Sequence, residues 1–401
     1  MSLFKDKNFL GLFVGGLFLS FGNRLYELAL PLWLYEISGS SKIMGAMRAV
    51  EFLPNVLLGI CVGLLVDRSL KKRTHLSSIA AQLILLAALL TCMVLKVKNV
   101  QWYYLLGFLL MTFGYLNDNV RIAITKLCIP KEQLGSANAK FASVQTGLAV
   151  AGPVITGIVV SLGSKPAAIT VAIVSYAIGL GATLFVSAPE TKASVERSTT
   201  VFADFLEGFR LLIQLRSLLA LSFLVVFINA IGGTFDSLLL YHCKKVLNLS
   251  DFEVGSVMAA SGLGAFISTF FVNQIRQKLQ TKTLFAGGFL LGAVCYLLVA
   301  MVPSITLLIA AIFVLSFVGM AQAVAVWTYR QEIVPAQLIG RIAGLTGALF
   351  KVGMPIAIYT GGSQAAALGT FKVFQALAIV SLCLAVVSRV VLSKLEAGSA
   401  A

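Results

Sequence analysis

The chain has 401 residues, of which 59% are hydrophobic and 12% charged, with a mean hydropathy of +0.95. So much apolar surface cannot be hidden in one water-soluble core, which excludes an ordinary globular protein and points to a polytopic membrane protein. The net charge of +15 does not signal nucleic acid: the basic residues are spread over short gaps between apolar stretches, without interleaved base-stacking aromatics, and membrane orientation accounts for them.

Taken in order, twelve apolar stretches are long enough to cross a hydrocarbon core of about 30 Å: roughly 9–36, 42–66, 75–96, 101–126, 136–162, 166–187, 216–243, 250–275, 282–301, 304–329, 336–362 and 367–394. Lys5 and Lys7 before the first run imitate a signal peptide, but no small-residue cleavage site follows, so this run is expected to stay as the first helix. An even number of crossings puts both termini on one side. The densest charge run, Asp67, Arg68, Lys71, Lys72 and Arg73, fills the gap after the second stretch. The positive-inside bias assigns this 67–73 loop, and with it both termini, to the cytoplasm. Lys5, Lys7, Lys126, Lys131, Arg210, Arg216, Arg276, Lys278 and Arg330 fall on the same side, and the opposite side is poorer, with Lys42, Lys96, Lys98, Lys165, Lys244, Lys245 and Lys372. Read from its residues alone, the loop is a solvated segment that sets topology. Cys61, Cys92, Cys128, Cys243, Cys295 and Cys383 are scattered without metal-site spacing and read as free thiols packing as small apolar groups.

The most polar part of the chain opens at Ala188-Pro189-Glu190. It is expected to be a cytoplasmic linker over 188–215, between a half at 1–187 and a half at 216–401. Within it, Phe202, Phe205, Phe209 and Leu212 recur near helical spacing opposite Asp204, Glu207 and Arg210, a pattern that suits the membrane interface or a plain tether. The flanking halves repeat each other. Pro130 and Gly135 open the fifth stretch as Pro335 and Gly340 open the eleventh, and Gly152-Pro153 with Gly157 answers Gly353, Pro355 and Gly361. Repeated six-helix units are how transporters place a substrate site near the bilayer midplane.

Ionisable side chains inside spans are costly unless paired or wetted, so each is a functional candidate. Arg24 and Glu27, Arg48 and Glu51, and Asp118 and Arg121 each stand three residues apart, which puts opposite charges on one helix face. Such pairs either neutralise themselves structurally or serve the cargo. Lys140, Asp236 and Lys351 have no opposite charge at helical spacing. Lys140 snorkels near a span end, Lys351 stands mid-span as a candidate for an anionic ligand, and Asp236 either pairs with Lys351 or titrates alone. Asn23, Asn117, Asn119, Gln145, Asn229, Gln322 and Tyr329 add hydrogen-bonding groups, and Trp327 reads as an interfacial anchor or a stacking surface. No nucleotide-binding Gly-x-x-x-x-Gly-Lys-Ser/Thr loop occurs, and no nucleophile stands with a matching His and carboxylate, so neither an ATP-driven pump nor an enzyme is expected.

Gly63, Asp67, Arg68 and the trio Lys71, Lys72, Arg73 resemble the loop between helices 2 and 3 of the major facilitator superfamily, with Leu70 in place of the second glycine. The resemblance implies an all-α membrane protein of twelve transmembrane helices in two pseudo-symmetric six-helix halves, with Asp67 and Arg68 locking the cytoplasmic gate. It also implies that helices 1 and 4 line the central cavity and helix 2 borders it. Gly152, Pro153 and Gly157 resemble the fifth-helix motif of the superfamily's antiporters, with Thr156 replacing one glycine. Ala29 to Leu34, Phe205 to Arg210 and the paired Pro-x-x-x-x-Gly openings are most similar to the branch that holds the enterobactin exporter and the macrolide efflux proteins, and Gly22-Asn23-Arg24 resembles ferroportin more distantly.

The expectation drawn from residues and resemblance together is a monomeric secondary transporter in the inner (plasma) membrane. Its partners are the bilayer, a small-molecule substrate and protons, with no cofactor, metal or nucleic acid. Proton-coupled export of an amphipathic or anionic cargo such as a carboxylate siderophore leads, followed by a macrolide-type multidrug pump and then an importer. Substrate is assigned to Asn23, Arg24, Arg48, Arg121, Gln145, Gln322 and Lys351, and proton coupling to Glu27, Glu51, Asp118 and Asp236.

Overall fold

In hydrocarbon a backbone must satisfy its own hydrogen bonds, so long apolar runs fold as helices. The computed structural model describes residues 3–58, 62, 65, 66, 69–188, 209–301, 304–334 and 339–399. Twelve long α-helices lie among the described residues: α1 (Lys7–Ser38), α2 (Ser41–Leu57), α3 (Lys71–Val94), α4 (Val100–Cys128), α5 (Lys131–Leu162), α6 (Lys165–Leu184), α7 (Arg216–Lys245), α8 (Asp251–Lys278), α9 (Thr281–Met301), α10 (Ile305–Ile333), α11 (Ile339–Leu368) and α12 (Thr370–Ser399). Each overlaps one of the twelve expected spans, although α2 ends at Leu57, short of the 66 expected for the second. Among the described residues, nine of these helices are long and apolar enough to cross a bilayer. Large apolar side chains such as Ile84, Phe270, Ile356 and Val386 are exposed on the surface, where lipid would cover them.

The helix ends follow from local chemistry. Asp6 caps α1 by accepting from the amides of Asn8 and Phe9 at 2.8 and 2.9 Å. Gly39 ends that helix at φ 60°, and Gly369 at φ 83° is the single residue between α11 and α12; both need the left-handed region that glycine enters freely. Lys71, Lys72 and Arg73, expected in a loop, instead form the first turn of α3. Cations at a helix N-terminus oppose the helix dipole, and here they reach carbonyl oxygens. The Lys71 ammonium donates to Val66 O and, at 3.0 Å, to Ser69 O, and that of Lys72 to Leu184 O at 3.2 Å, at the C-terminal end of α6 where a cation is favoured. Gly63, Asp67 and Arg68 lie outside the described residues, as does Cys61. The described cysteines are free thiols.

The linker expected at 188–215 falls mostly outside the described residues, along with most of its amphipathic stretch. Its last part, 209–214, is helical. There Leu212 is buried in a cluster with Leu218, Val334 and Ile342.

The chain divides into two compact units, Met1–Val195 with Leu249–Ala259, and Glu196–Asn248 with Ala260–Ala401. The helix pairs packed in the first, α1·α6, α1·α5, α3·α4 and α3·α6, recur in the second as α7·α12, α7·α11, α9·α10 and α9·α12. Two sequence halves that repeat their glycines and prolines thus share these four packings. Gly361 faces Thr234 across α11 and α7, as Gly152 faces Arg24 across α5 and α1. α8 and α10 meet through a hydroxyl contact of Ser261 with Ser316 at 2.8 Å.

Within the first unit, small residues let backbones approach. A side chain added at Gly255 would put its Cβ 2.6 Å from Pro153 O, and one at Gly157 would put it 2.9 Å from Asp251 O. Beside this contact the Lys165 ammonium bridges Glu36 at 3.1 Å and Asp251 at 3.3 Å. Because the obstacle is backbone, Gly255→Val is expected to cost about 1–3 kcal/mol, read as a lowered unfolding temperature in detergent. Gly147→Ala, on the same α5 but facing open space, is the control and should hold that temperature or raise it slightly, since alanine favours the helix over glycine.

Candidate functional site

The charged pairs expected from the sequence meet in one place. α1 presents Asn23, Arg24 and Glu27, and α2 presents Arg48, Glu51 and Asn55. Asn117, Asp118 and Arg121 come from α4, Gln145 from α5, Gln82 from α3 and Tyr176 from α6, and together these line a cavity of about 270 Å³ inside the first unit. Spacing by three residues brings each pair to one helix face, and all three pairs form. Arg24 donates to Glu27 at 2.8 Å and Arg48 to Glu51 at 3.0 Å, whereas Arg121 stands 3.8 Å from Asp118. The cavity therefore carries three guanidinium groups and three carboxylates.

The pairs differ in how tightly they are held. Both carboxylate oxygens of Glu51 are occupied: Arg48 takes one, and the buried Tyr26 hydroxyl donates to the other at 2.6 Å. Arg48 also donates to the backbone carbonyl of Glu27 at 3.1 Å, tying α2 to α1. Glu27 accepts from Arg24 and from Asn23, each at 2.8 Å. Asp118 is the loosest, with 69% of its side chain exposed against 4% for Glu51. Its partner Arg121 leans instead over the Phe141 ring, 5.4 Å from the centroid, a cation–π arrangement.

Ser20, Gln82 and Tyr176 line the cavity without any sequence signal of their own, whereas Gln145 is one of the expected substrate residues. Tyr176 donates to Gln82 at 3.2 Å, and Gln145 donates to the Ser20 hydroxyl at 2.6 Å. Gly152 explains its own place in the fifth-helix motif: a Cβ there would stand 3.0 Å from Arg24 Cγ, so glycine leaves room for the arginine stem. Lys140 lies outside the cavity, its ammonium 4.8 Å from the centre of the Phe4 ring.

Asp236 and Gln322, expected to act with these groups, line a separate cavity of about 340 Å³ inside the second unit. Lys351, on α11, is a lining residue of neither cavity.

The sequence profile of the Major Facilitator Superfamily matches residues 12–358. The chain belongs to the major facilitator superfamily. It is a multi-pass membrane transporter and not an enzyme. Macrolide efflux protein A of Streptococcus pyogenes is 24% identical over 376 residues, covering 91% of each chain. Among solved structures, the nucleoside transporter NupG superposes with a TM-score of 0.77 at 13% identity, covering 96% of this chain and 99% of that one. A bacterial homologue of the iron transporter ferroportin, in its inward-facing state, gives 0.74 at 16% identity over 98% and 99%. These two likenesses are of fold alone. Superfamily membership also gives the pseudo-symmetric packing its meaning, since the repeat is the architecture of the family.

Proposed function

We propose that this superfamily member is a proton-coupled exporter of amphipathic small molecules, acting in the manner its macrolide-efflux relatives are named for. The carrying observation is that every arginine lining the first cavity faces a carboxylate one turn away, at 2.8, 3.0 and 3.8 Å. A polycarboxylate cargo would have to displace those acids before meeting a cation, and buried or half-buried pairs are strongly destabilised when one partner is removed. A locally neutral, hydrogen-bonding cavity instead suits a ligand with an apolar body and a few polar groups. In this reading the chain is a monomer of the plasma membrane with both termini in the cytoplasm, as its basic residues favour. Asp118 is the proton carrier, because it combines an accessible carboxylate with a loose partner.

Vesicles carrying the purified chain decide the cargo. Erythromycin is expected to accumulate against its gradient when a proton gradient is imposed, and to stop accumulating when a protonophore collapses it. A tricarboxylate added in excess should not compete. Competition by the tricarboxylate, or accumulation of it in place of the macrolide, would return the anionic siderophore class to first place.

A further inference from the structure

α3 carries a row of polar side chains that takes no part in the three ion pairs. His75, Ser78 and Gln82 recur at helical spacing on one face, and each is all but buried, at 1, 1 and 3% exposure. That face meets α4 and α6. Gln82 accepts from Tyr176 at 3.2 Å and donates to the Ser78 carbonyl at 3.3 Å, so both ends of its amide are occupied. The Ser78 hydroxyl divides its one proton between the His75 carbonyl at 2.8 Å and Asn117 Oδ1 at 3.3 Å. The His75 ring hydrogen-bonds the Asn117 amide as well. Its Nδ1 is sealed from solvent with no partner among the described residues, so the bond is made by Nε2. Because the amide oxygen only accepts, Nε2 carries the proton of the neutral ring.

We propose that His75 is a positioning residue for cargo recognition: it holds the Asn117 amide by its oxygen, so that the NH2 group is left to the cavity as a donor for a carbonyl or ether oxygen of the cargo. Asn117 lines the first cavity, whereas His75 and Ser78 do not, so these two act on it from behind. Ser78 alone would not fix the amide. Its nearer acceptor is the His75 carbonyl, and a hydroxyl accepts from an amide NH2 as readily as it donates to an amide oxygen. The imidazole N–H can only donate, and this breaks the tie. The orientation matters because two other amides of the same wall are turned the opposite way. Asn23 gives its nitrogen to Glu27 at 2.8 Å and Gln145 gives its nitrogen to Ser20 at 2.6 Å, which leaves oxygens as their remaining groups. Asn117 is therefore a neutral donor among acceptors, and the arginines do not replace it, since each already faces a carboxylate. This deepens the export reading by naming an acceptor oxygen as a feature the cargo must carry, and it rests on that reading for its physiological meaning only.

The test is binding to the purified full chain in detergent, with 2-acetylnaphthalene and its isostere 2-isopropenylnaphthalene as probes; the second has a CH2 group where the first has its acceptor oxygen. The readout is the ratio of the two affinities. His75→Phe keeps a ring and removes the donor. It is expected to shift the ratio against the ketone by about three- to tenfold, the contribution of one neutral hydrogen bond, with the alkene nearly unchanged. His75→Met removes the donor with a flexible chain and should give the same shift where the phenyl ring is not accommodated. His75→Gln, whose amide N–H can stand in for Nε2–H, should restore most of the preference, and Ser78→Ala should retain it. Asn117→Leu should abolish the preference, and His75→Phe added to it should move the ratio no further, because the histidine acts through that amide. An unchanged ratio in the variants that lack the donor, or equal loss of both probes there, overturns the proposal. Erythromycin that fails to accumulate in wild-type vesicles, with this pattern of ratios intact, counts against the export reading alone.

Discussion

Glu51→Gln is expected to be the most destabilising single substitution in the first cavity, by up to about 3 kcal/mol, because it takes from the half-buried Arg48 the buried carboxylate that faces it. Glu51 holds Arg48 at 3.0 Å through one oxygen and receives the Tyr26 hydroxyl at 2.6 Å through the other. A glutamine keeps the shape and removes the charge. Arg48 then stays cationic in a membrane-spanning helix with the Glu27 carbonyl and a neutral amide oxygen to receive it in place of its own carboxylate, and a charge less well matched there is expensive. The expected readout is a large drop in folded yield and in the unfolding temperature of the detergent-solubilised protein. Replacing both partners with methionine should recover much of that loss, since an apolar pair leaves no charge unmatched. If the single and double variants melt together, Glu51 acts through Tyr26 and the ion pair contributes little.

How far the molecule can be read in advance depends on whether an interaction is local. The twelve helices and the three pairs at 24/27, 48/51 and 118/121 are local features, set by apolar run length and helical spacing, and they stand where the pattern put them. The start of α3 was harder to read. Its N-cap is Leu70, which makes no side-chain hydrogen bond, so no Ser, Thr, Asp or Asn marked the boundary and the charge run read as loop. Tyr26 and Glu51 are 25 residues apart, and only the crossing of α1 and α2 joins them. Tyr176 and Gln82 are single polar groups in apolar helices whose meeting is fixed by the packing of α6 on α3. The separation of Asp236 and Gln322 from the arginines was likewise invisible, because helical spacing does not say which cavity a mid-span polar group will line. Gly152 shows the reverse case, where a motif glycine acquires its reason only when Arg24 is seen against it.

Asp118→Asn is expected to abolish accumulation driven by a pH gradient while leaving binding and passive exchange of the cargo in place. A proton carrier must reach water, lose its proton and bind it again, and among the three paired acids Asp118 has the most exposed carboxylate and the longest distance to its arginine. Protonation there would release Arg121, which already has the Phe141 ring as a second resting place, so the charge change need not strand a bare cation. The magnitude is bounded: one proton moving down a gradient of one pH unit supplies about 1.4 kcal/mol, enough for roughly a tenfold concentration ratio of cargo. Wild-type vesicles should approach that ratio for each proton coupled, and the asparagine variant should stay near unity. Counterflow, in which labelled cargo exchanges against unlabelled cargo with no gradient, separates coupling from folding and should proceed at a comparable rate in both. Glu27→Gln provides the comparison, because its loss frees Arg24 and Asn23 together and is expected to slow counterflow as well. Gradient-driven accumulation that survives Asp118→Asn would move the proton site to Glu27, and accumulation that survives both substitutions would remove proton coupling from this cavity altogether.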